Sequence, residues 1–167
     1  MTSKRLAVTK KNGQFVAGIF TESGLYATSL PRPSEKSAIA AVTKEKITRS
    51  DSPSHLEVLE IVFSSSNGEQ IDLDKITFDF SGITEKQVKV LKATMEIPRG
   101  STLTYGQLGK NAGLENAARF VGNVMASNRF APLIPCHRVV ASNGLGGYGY
   151  GLAKKKSLLK AERGFAD

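Results

Sequence analysis

The sequence predicts a mixed α/β fold of the α+β type. A small N-terminal domain with an antiparallel sheet and helices precedes a mostly helical C-terminal domain with a helix-turn-helix. Three observations predict this fold. Two β-rich runs flank an Asn-Gly pair, which is a strong hairpin signal. Apolar residues recur at helical spacing from residue 84, and two short helical segments are joined by a Gly-containing turn. We assign a support domain to residues 1–82 and a second domain to residues 83–167.

The N-terminal domain is predicted to contain a sheet and two helical segments. Its predicted strands cover residues 6–10, 14–21, 25–30 and 76–80. Its helical segments are predicted over residues 34–46 and 55–63, the first with Ser34 as its cap. We interpret His55 as a surface or capping residue, so this domain has no evident chemistry.

The C-terminal domain is predicted to be helical up to a Gly-rich loop and again after it. The predicted helices cover residues 84–96, 105–111, 115–127 and 152–163. Pro98 ends the first of them, Thr104 caps the second, and Ala112 and Gly113 make the turn before the third. The Gly-rich loop covers residues 142–151 and contains Tyr148 and Tyr150.

The net positive charge of the chain lies entirely in its second half. Residues 1–84 carry 10 Lys and Arg against 10 Asp and Glu, whereas residues 85–167 carry 13 against 5. This asymmetry favours a polyanionic partner such as nucleic acid, although a solubilising Lys-rich face is the alternative. No apolar run approaches the roughly 18 residues that span a bilayer, and no signal peptide is recognisable. We expect a cytoplasmic protein with no membrane partner.

Cys136 is the only cysteine in the sequence, so it cannot close an internal disulfide. It is followed by His137 and Arg138, neighbours that favour a reactive thiolate. The alternative is a buried, inert side chain, because free cysteine is often buried. Zinc usually takes three or four ligands, and the chain offers one Cys and two His, so we expect no metal site.

The residues around Cys136 predict how its proton would be removed. Pro135 biases Ile134 towards an extended backbone. If the chain stays extended through Cys136 and His137, their side chains point to opposite sides. A proton relay through water, with a carboxylate that steadies the imidazolium, is then more plausible than direct contact. Glu162 is a candidate for that carboxylate.

The Gly-rich loop allows two interpretations. Its five glycines between residues 144 and 151 are compatible with a flexible connector, and it lacks the Lys-Ser/Thr ending of a phosphate-binding loop. Beside Cys136, however, Tyr148 and Tyr150 are suited to wall a pocket for a planar ring.

Several segments in order resemble the O6-alkylguanine-DNA alkyltransferases, or methylated-DNA–protein-cysteine methyltransferases. The matching segments are IPRG (97–100), TYGQL (104–108), AARFVG (117–122), Asn128, LIPCHRVV (133–140), GGY (146–148) and LLKAERG (158–164). The PCHRV run is highly specific. Residues 1–84 contribute only a compatible size and a β-then-α pattern.

The resemblance implies DNA repair by direct, irreversible, single-turnover transfer of an alkyl (methyl) group to Cys136. The donor is O6-alkylguanine, together with O4-alkylthymine, in duplex DNA, and no cofactor is needed. His137 is implied as the water-relayed base, Glu162 as its carboxylate partner and Asn128 as a hinge. Tyr105 is implied as an acid above the pocket and also as a DNA-binding residue that crowds the backbone phosphate. A monomer bound to duplex DNA that contains alkylated guanine is expected.

The resemblance also implies how DNA is bound. Arg119 is implied to fill the stack left by a flipped nucleotide, and Ala117 and Ala118 to allow close approach in the minor groove. The cluster Lys154–Lys156 is a candidate for attracting phosphate. Arg138 is a second candidate, with a structural role as its alternative. The substrate pocket is expected to include Pro135, Tyr148, Gly149 and Tyr150.

Three positions depart from the family pattern. Gly149 stands where many members carry Ser, Tyr150 is bulky where some are small, and Phe120 is larger than usual. Among rival classes, alkylation sensors replace the nucleophile, often with Trp, and the related regulators add a Cys-rich zinc module. The chain has Cys136 and no Trp. A cysteine hydrolase is the remaining alternative.

Overall fold

The computed structural model describes residues 2–163, which divide into two compact units. The first unit contains the described residues up to Ser81 together with Arg129–Leu133, and the second contains Gly82–Asn128 and the described residues from Ile134 onward. The sequence-based division placed residues 129–133 in the second domain, but they bond within the first unit: the Thr28 N–H donates to the Arg129 carbonyl at 2.9 Å. Residues 164–167, which end the expected second domain and include Gly164 of the last matching segment, lie outside the described residues.

The first unit is built on a four-stranded sheet. Its strands are β1 (Arg5–Lys11), β2 (Gln14–Thr21), β3 (Gly24–Thr28) and β4 (Thr48–Arg49), in the order β3-β2-β1-β4. The hairpin between β1 and β2 turns on Asn12 and Gly13, both with positive φ, as a two-residue turn of this kind requires. The short strand β4, which the sequence did not predict, pairs parallel with β1.

Two helices accompany this sheet, α1 (Glu35–Val42) and α2 (Pro53–Ser66). Ser34 caps α1 as expected, but α1 ends before residue 46 because Thr43 is extended. α2 begins before His55, with Pro53 in its first turn, where a missing N–H costs nothing. A buried apolar cluster lies between α1 and the sheet; it consists of Leu6, Ala17, Ile19, Ala27 and Ala38.

Two expectations for this unit were wrong. Residues 76–80 form no strand but a single bridge, in which Leu25 donates to the Thr77 carbonyl and accepts from the Asp79 N–H, each at 2.8 Å. His55 is neither a cap nor a fully exposed side chain. It is half-buried and stacks on Phe20 with 4.1 Å between ring centroids. Alternation and residue type alone did not reveal these contacts, because both partners are distant in sequence.

The second unit is mostly helical, as predicted. Its elements are α3 (Glu85–Met95), β5 (Leu103–Thr104), α4 (Tyr105–Asn111), α5 (Ala118–Ala126), β6 (Val139–Val140) and α6 (Leu152–Glu162). β5 and β6 pair in parallel, Leu103 with Val139 and Thr104 with Val140. Within residues 2–163, no helix combines the length and the apolar character needed to cross a membrane.

The predicted helix-turn-helix corresponds to α4 and α5. Thr104 caps α4 through a reciprocal pair of hydrogen bonds with Gln107, which satisfies N–H groups at the start of the helix. α5 begins three residues later than expected, because Asn116 has a φ of 49° and interrupts helical geometry. Ala117 therefore stands at the N-cap, and Arg119 lies in the first turn of α5.

We expect Gly24→Ala to destabilise the protein strongly. Gly24 has a φ of 129°, and an added Cβ would lie 2.8 Å from the Thr77 carbonyl carbon and closer still to its oxygen. The combined strain and overlap should lower the free energy of unfolding by roughly 3 kcal/mol or more, measured by urea denaturation. Gly13→Ala is the matched control: its φ is 77° but no atom lies within 4 Å, so we expect a loss of about 1 kcal/mol. Equal losses would show that the Thr77 contact is unimportant.

Candidate active site

Cys136 lies in a 3₁₀ turn, Cys136–Arg138, so the chain does not stay extended through Cys136 and His137. The Arg138 N–H donates to the Pro135 carbonyl at 2.9 Å, and the Val139 N–H donates to the Cys136 carbonyl. Pro135 restricts only the residue before it, whereas these backbone hydrogen bonds close the chain after it. Cys136 and His137 are thus adjacent members of a tight turn.

Cys136 opens onto a small cavity of about 120 Å³. The thiol-bearing residue is only 5% exposed. The lining residues are Tyr105, Gly122, Met125, Ala126, Cys136, Gly147, Tyr148 and Gly149. The parallel pair of β5 and β6 explains why Tyr105 and Cys136 share this cavity, because Thr104 pairs with Val140 just after the turn.

Asn128 connects the end of α5 to the residues before Cys136. Its side chain is buried and its Nδ2 donates to the Ile134 carbonyl at 2.9 Å. A buried amide that is bonded to a backbone carbonyl holds both segments in one register, since breaking the bond would leave a buried polar group unsatisfied. The sequence-predicted hinge position is therefore a structural tie within this unit.

His137 and Glu162 form a buried pair behind Cys136. The Nε2 of His137 lies 2.6 Å from Oε1 of Glu162, and both side chains are almost completely inaccessible. The other ring nitrogen, Nδ1, is buried and has no hydrogen-bond partner within the described residues. The carboxylate therefore orients the ring, and Nδ1 is the nitrogen that remains available for a proton.

Arg138 points into the protein and does not present its charge as a free phosphate ligand. Its guanidinium donates to both carboxylate oxygens of Glu162, at 3.0 and 2.9 Å, and to the Ile97 carbonyl at 2.7 Å. Bidentate pairing of this kind is strong and geometrically specific. Of the two interpretations that the sequence left open for Arg138, these contacts favour the structural one.

Burial and charge set the protonation states. Burial raises the pKa of the Glu162 carboxyl, but hydrogen bonds from His137 and Arg138 outweigh it and lower that pKa to about 2. Burial raises the pKa of the Cys136 thiol, an effect that Asn128 and the Lys155 ammonium offset only in part. The sequence predicted an environment that favours thiolate; burial opposes ionisation of the sulfur, whereas Asn128 and Lys155 favour it.

The Gly-rich loop contributes one wall of the cavity. Tyr148 and Gly149 line it as expected, whereas Pro135 and Tyr150 are not among its lining residues. Tyr150 is 36% exposed, and its ring lies 5.4 Å from that of Tyr148. Gly146 has a φ of 71°, and a Cβ there would lie 2.6 Å from the Tyr105 hydroxyl, so this position requires glycine.

Sequence reasoning missed the wall that α5 provides. Gly122, Met125 and Ala126 line the cavity, and their spacing of three and four residues places them on one helix face. That spacing was a usable signal, but it does not reveal which neighbour the face contacts. Gly147 was also missed as a lining residue, although it lies within the Gly-rich loop.

Three of the residues expected at a DNA surface, Ala117, Ala118 and Arg119, lie at the start of α5, outside the lining of the cavity. Ala118 and Arg119 are exposed, and Ala117 is half-buried. Phe120 is half-buried, with the Lys86 ammonium 4.7 Å from its ring centroid, so its bulk is directed towards α3. Within residues 2–163, His, Cys, Asp and Glu side chains form no group of three that could hold a metal ion.

Comparison with known proteins extends over nearly the whole chain. Residues 85–164 match the family model for the 6-O-methylguanine DNA methyltransferase, DNA binding domain. A methylated-DNA–protein-cysteine methyltransferase of Methanocaldococcus jannaschii is 37% identical over 152 residues, covering 89% of this chain and 88% of the relative. One from Methanocaldococcus vulcanius is 31% identical over 159 residues, covering 93% and 96%. Mycobacterium tuberculosis OGT in complex with DNA has a TM-score of 0.76 at 28% identity, covering 97% of this chain and 94% of that chain.

We expect Glu162→Gln to cost stability in a pH-dependent way. The pKa of Glu162 falls from 4.5 to about 2 on folding, so its contribution is fully present above about pH 5 and is lost as the pH falls towards 2. Since one pKa unit corresponds to about 1.4 kcal/mol, the wild type should exceed the variant by roughly 3 kcal/mol at neutral pH. Urea unfolding at several pH values measures this difference.

Glu115→Gln is the matched control for that experiment. Glu115 is an exposed acid of the same unit and forms no ion pair among the described residues. We expect its substitution to change the free energy of unfolding by less than about 0.5 kcal/mol at any pH. If the difference in the free energy of unfolding between wild type and Glu162→Gln stays constant from pH 7 to pH 2, the stabilising role of the ionised Glu162 carboxylate would be contradicted.

Proposed function

This chain belongs to the methylated-DNA–protein-cysteine methyltransferase family, and we propose that it repairs DNA by moving an alkyl group from O6 of guanine onto Cys136. The observation that carries this proposal is the arrangement of a buried thiol, a cavity and a carboxylate-held imidazole. The relative with 37% identity, which covers most of both chains, bears the corresponding enzyme name. The resemblance noted in the sequence is thereby confirmed.

The proposed chemistry begins with ionisation of the thiol. Nδ1 of His137 receives the Cys136 proton through a bridging water, while Glu162 holds Nε2 and stabilises the resulting imidazolium. The thiolate then attacks the alkyl carbon. The new S–C bond forms as the C–O6 bond breaks, and its electron pair moves into the departing guanine. The Tyr105 hydroxyl, in the same cavity, is placed to supply a proton to that base.

Each molecule is proposed to act once. A thioether offers water no good leaving group, unlike an acyl thioester, so hydrolysis cannot regenerate the thiol. The sequence contains no second cysteine that could take the alkyl group from Cys136. The reaction is therefore stoichiometric and its protein product is S-alkylcysteine.

DNA is proposed to bind through the helix-turn-helix, with α5 in the minor groove. O6 of guanine cannot be reached inside a duplex, so the damaged nucleotide has to be flipped into the cavity. Ala118 is small and exposed at the start of α5, and the neighbouring Arg119 is free to enter the vacated stack. The solved relative in complex with DNA and the excess of cations in residues 85–167 support this mode.

The composition of the cavity bears on substrate range. Gly149 lines the cavity and has no side chain that could reach the base, so contact with O6 is left to backbone N–H groups or is not made. Tyr148 lines the cavity, whereas the exposed Tyr150 lies outside the lining with its ring 5.4 Å from that of Tyr148. We include O4-alkylthymine as a second substrate, since it offers the same alkyl–oxygen bond. The protein is proposed to act as a monomer.

The test of the proposed function is transfer of one methyl group. After incubation with duplex DNA containing O6-methylguanine, the peptide with Cys136 should gain the mass of one methyl group in place of hydrogen. Mass spectrometry should find no more than one equivalent per protein molecule. Turnover beyond one equivalent, or methyl addition elsewhere, would contradict the mechanism.

The matched variant for this test is Cys136→Ser. We expect it to lose transfer completely while it still binds duplex DNA, because the hydroxyl is a far weaker nucleophile and occupies nearly the same volume. Fluorescence anisotropy with a labelled duplex measures binding. Loss of binding together with transfer would indicate that Cys136 is structural.

Arg119→Ala should separate nucleotide flipping from chemistry. Arg119 does not line the cavity, so the reaction with free O6-benzylguanine should remain within about twofold of wild type. Transfer from duplex DNA should slow by about tenfold or more, since filling the vacated stack offsets an unstacking cost of a few kcal/mol. Lys46→Ala, an exposed cation of the first unit, is the control. Equal slowing with both substrates would assign Arg119 a structural role.

A further inference from the structure

Lys155 is completely buried, although the sequence placed it in a basic cluster expected to face phosphate. Its Nζ donates to the carbonyl oxygens of Val139 at 2.7 Å, Leu145 at 2.6 Å and Gly147 at 3.0 Å. Three carbonyl acceptors require three N–H donors, which only the ammonium form supplies. Its neighbours Lys154 and Lys156 are at least partly exposed, so Lys155 alone turns inward.

The three carbonyls belong to two segments that border Cys136. Val139 is the residue directly after the 3₁₀ turn, whereas Leu145 and Gly147 lie in the Gly-rich loop. Gly147 itself lines the cavity, together with Tyr148 and Gly149. One ammonium on α6 thus connects the backbone that follows the Cys136 turn to the loop that forms part of the cavity wall.

Ordinary packing does not explain a lysine in this position. Lys155 has no carboxylate partner among the described residues, and an ammonium without a counter-charge is costly to bury. A methionine would fill similar space without that cost. The ammonium of Lys155 instead donates to three backbone carbonyls, which would otherwise have to find other donors.

We propose that Lys155 is a positioning residue: it holds the Gly-rich loop against the backbone that follows Cys136 and so shapes the cavity wall that receives the base. The loop is rich in glycine and has few backbone hydrogen bonds of its own, from Gly144 to Ala141 at 3.5 Å and from Gly151 to Tyr148 at 3.0 Å. Among the described residues, the only backbone–backbone hydrogen bond of residues 145–149 is the one that the Tyr148 carbonyl accepts from Gly151. This inference rests on the proposed role of Cys136 as the alkyl acceptor.

The charge of Lys155 has a second consequence for Cys136. The thiolate and the ammonium favour each other: Lys155 lowers the pKa of Cys136, and Cys136 raises that of Lys155, against the larger opposing effect of burial on each. The other titratable groups around the thiol are His137 from the same turn, Tyr105 from α4, Tyr148 from the loop, and Glu162 behind His137. Among them, Lys155 is the cation that a substitution can remove without touching the His137–Glu162 pair.

The experiment compares two reagents for the same thiol across pH. Iodoacetamide needs only an accessible thiolate, whereas O6-benzylguanine also needs a correctly shaped wall. For Lys155→Met we expect the pH midpoint of iodoacetamide modification to rise, because the thiolate loses a nearby cation. At pH values above the midpoints of both proteins, Lys155→Met should react with iodoacetamide at least as fast as wild type. Its rate of transfer from O6-benzylguanine should be lower by about tenfold or more. Lys160→Met, an exposed lysine one turn along α6, should match wild type in both.

Lys155→Arg tests whether the hydrogen-bond geometry or the positive charge of Lys155 matters. It is also the second variant if Lys155→Met does not fold, and circular dichroism checks the folding of both. The guanidinium keeps the charge but is planar and longer, so it cannot reproduce the three-carbonyl arrangement. We expect an unshifted iodoacetamide midpoint with transfer from O6-benzylguanine still slowed by about tenfold.

Two outcomes would overturn the proposal. If either folded Lys155 variant transfers from O6-benzylguanine at the wild-type rate, the ammonium does not position the wall. If both reagents slow by the same factor above their midpoints, the effect is a general loss of structure. Failure of the wild type to accept a methyl group from DNA would instead refute the proposed function, and the iodoacetamide profiles would still report on Lys155.

Discussion

The buried carboxylate of Glu162 is the interaction on which the candidate site depends. It lies at the end of α6 and accepts hydrogen bonds from His137 and Arg138, two successive residues of the 3₁₀ turn. One charge therefore fixes the orientation of the imidazole and anchors the turn that carries Cys136. In a buried network of this kind, removal of one member leaves an uncompensated charge, which costs far more than the loss of an exposed ion pair.

The backbone around Cys136 is held by few but well-placed contacts. Two residues of β5 pair with two of β6, which brings Tyr105 to the cavity that Cys136 lines. Asn128 ties the end of α5 to Ile134, just before the turn. Regular secondary structure is short here, so side chain–backbone bonds supply the order that longer strands or helices provide elsewhere.

The charge distribution identified the half of the chain that contains the candidate site, but it did not identify the role of each cation. Residues 85–167 carry the whole net charge of +8. Within them, Arg138 is committed to Glu162 and Ile97, and Lys155 is enclosed by three carbonyl groups. Arg119, by contrast, is exposed at the start of α5. A local sequence window contains no information about which of these side chains faces solvent, because that depends on the packing of distant segments.

The sequence by itself determined the family, the order of the major helices, the hairpin at Asn12 and the single candidate nucleophile, since each rests on local spacing or on a residue that occurs once. Tertiary structure decided the rest. It bent the chain at Cys136 into a 3₁₀ turn and chose Glu162 from several acids as the partner of His137. It also turned Lys155 inward. These outcomes depend on backbone hydrogen bonds and burial shared between segments far apart along the chain, and neither residue type nor periodicity encodes them.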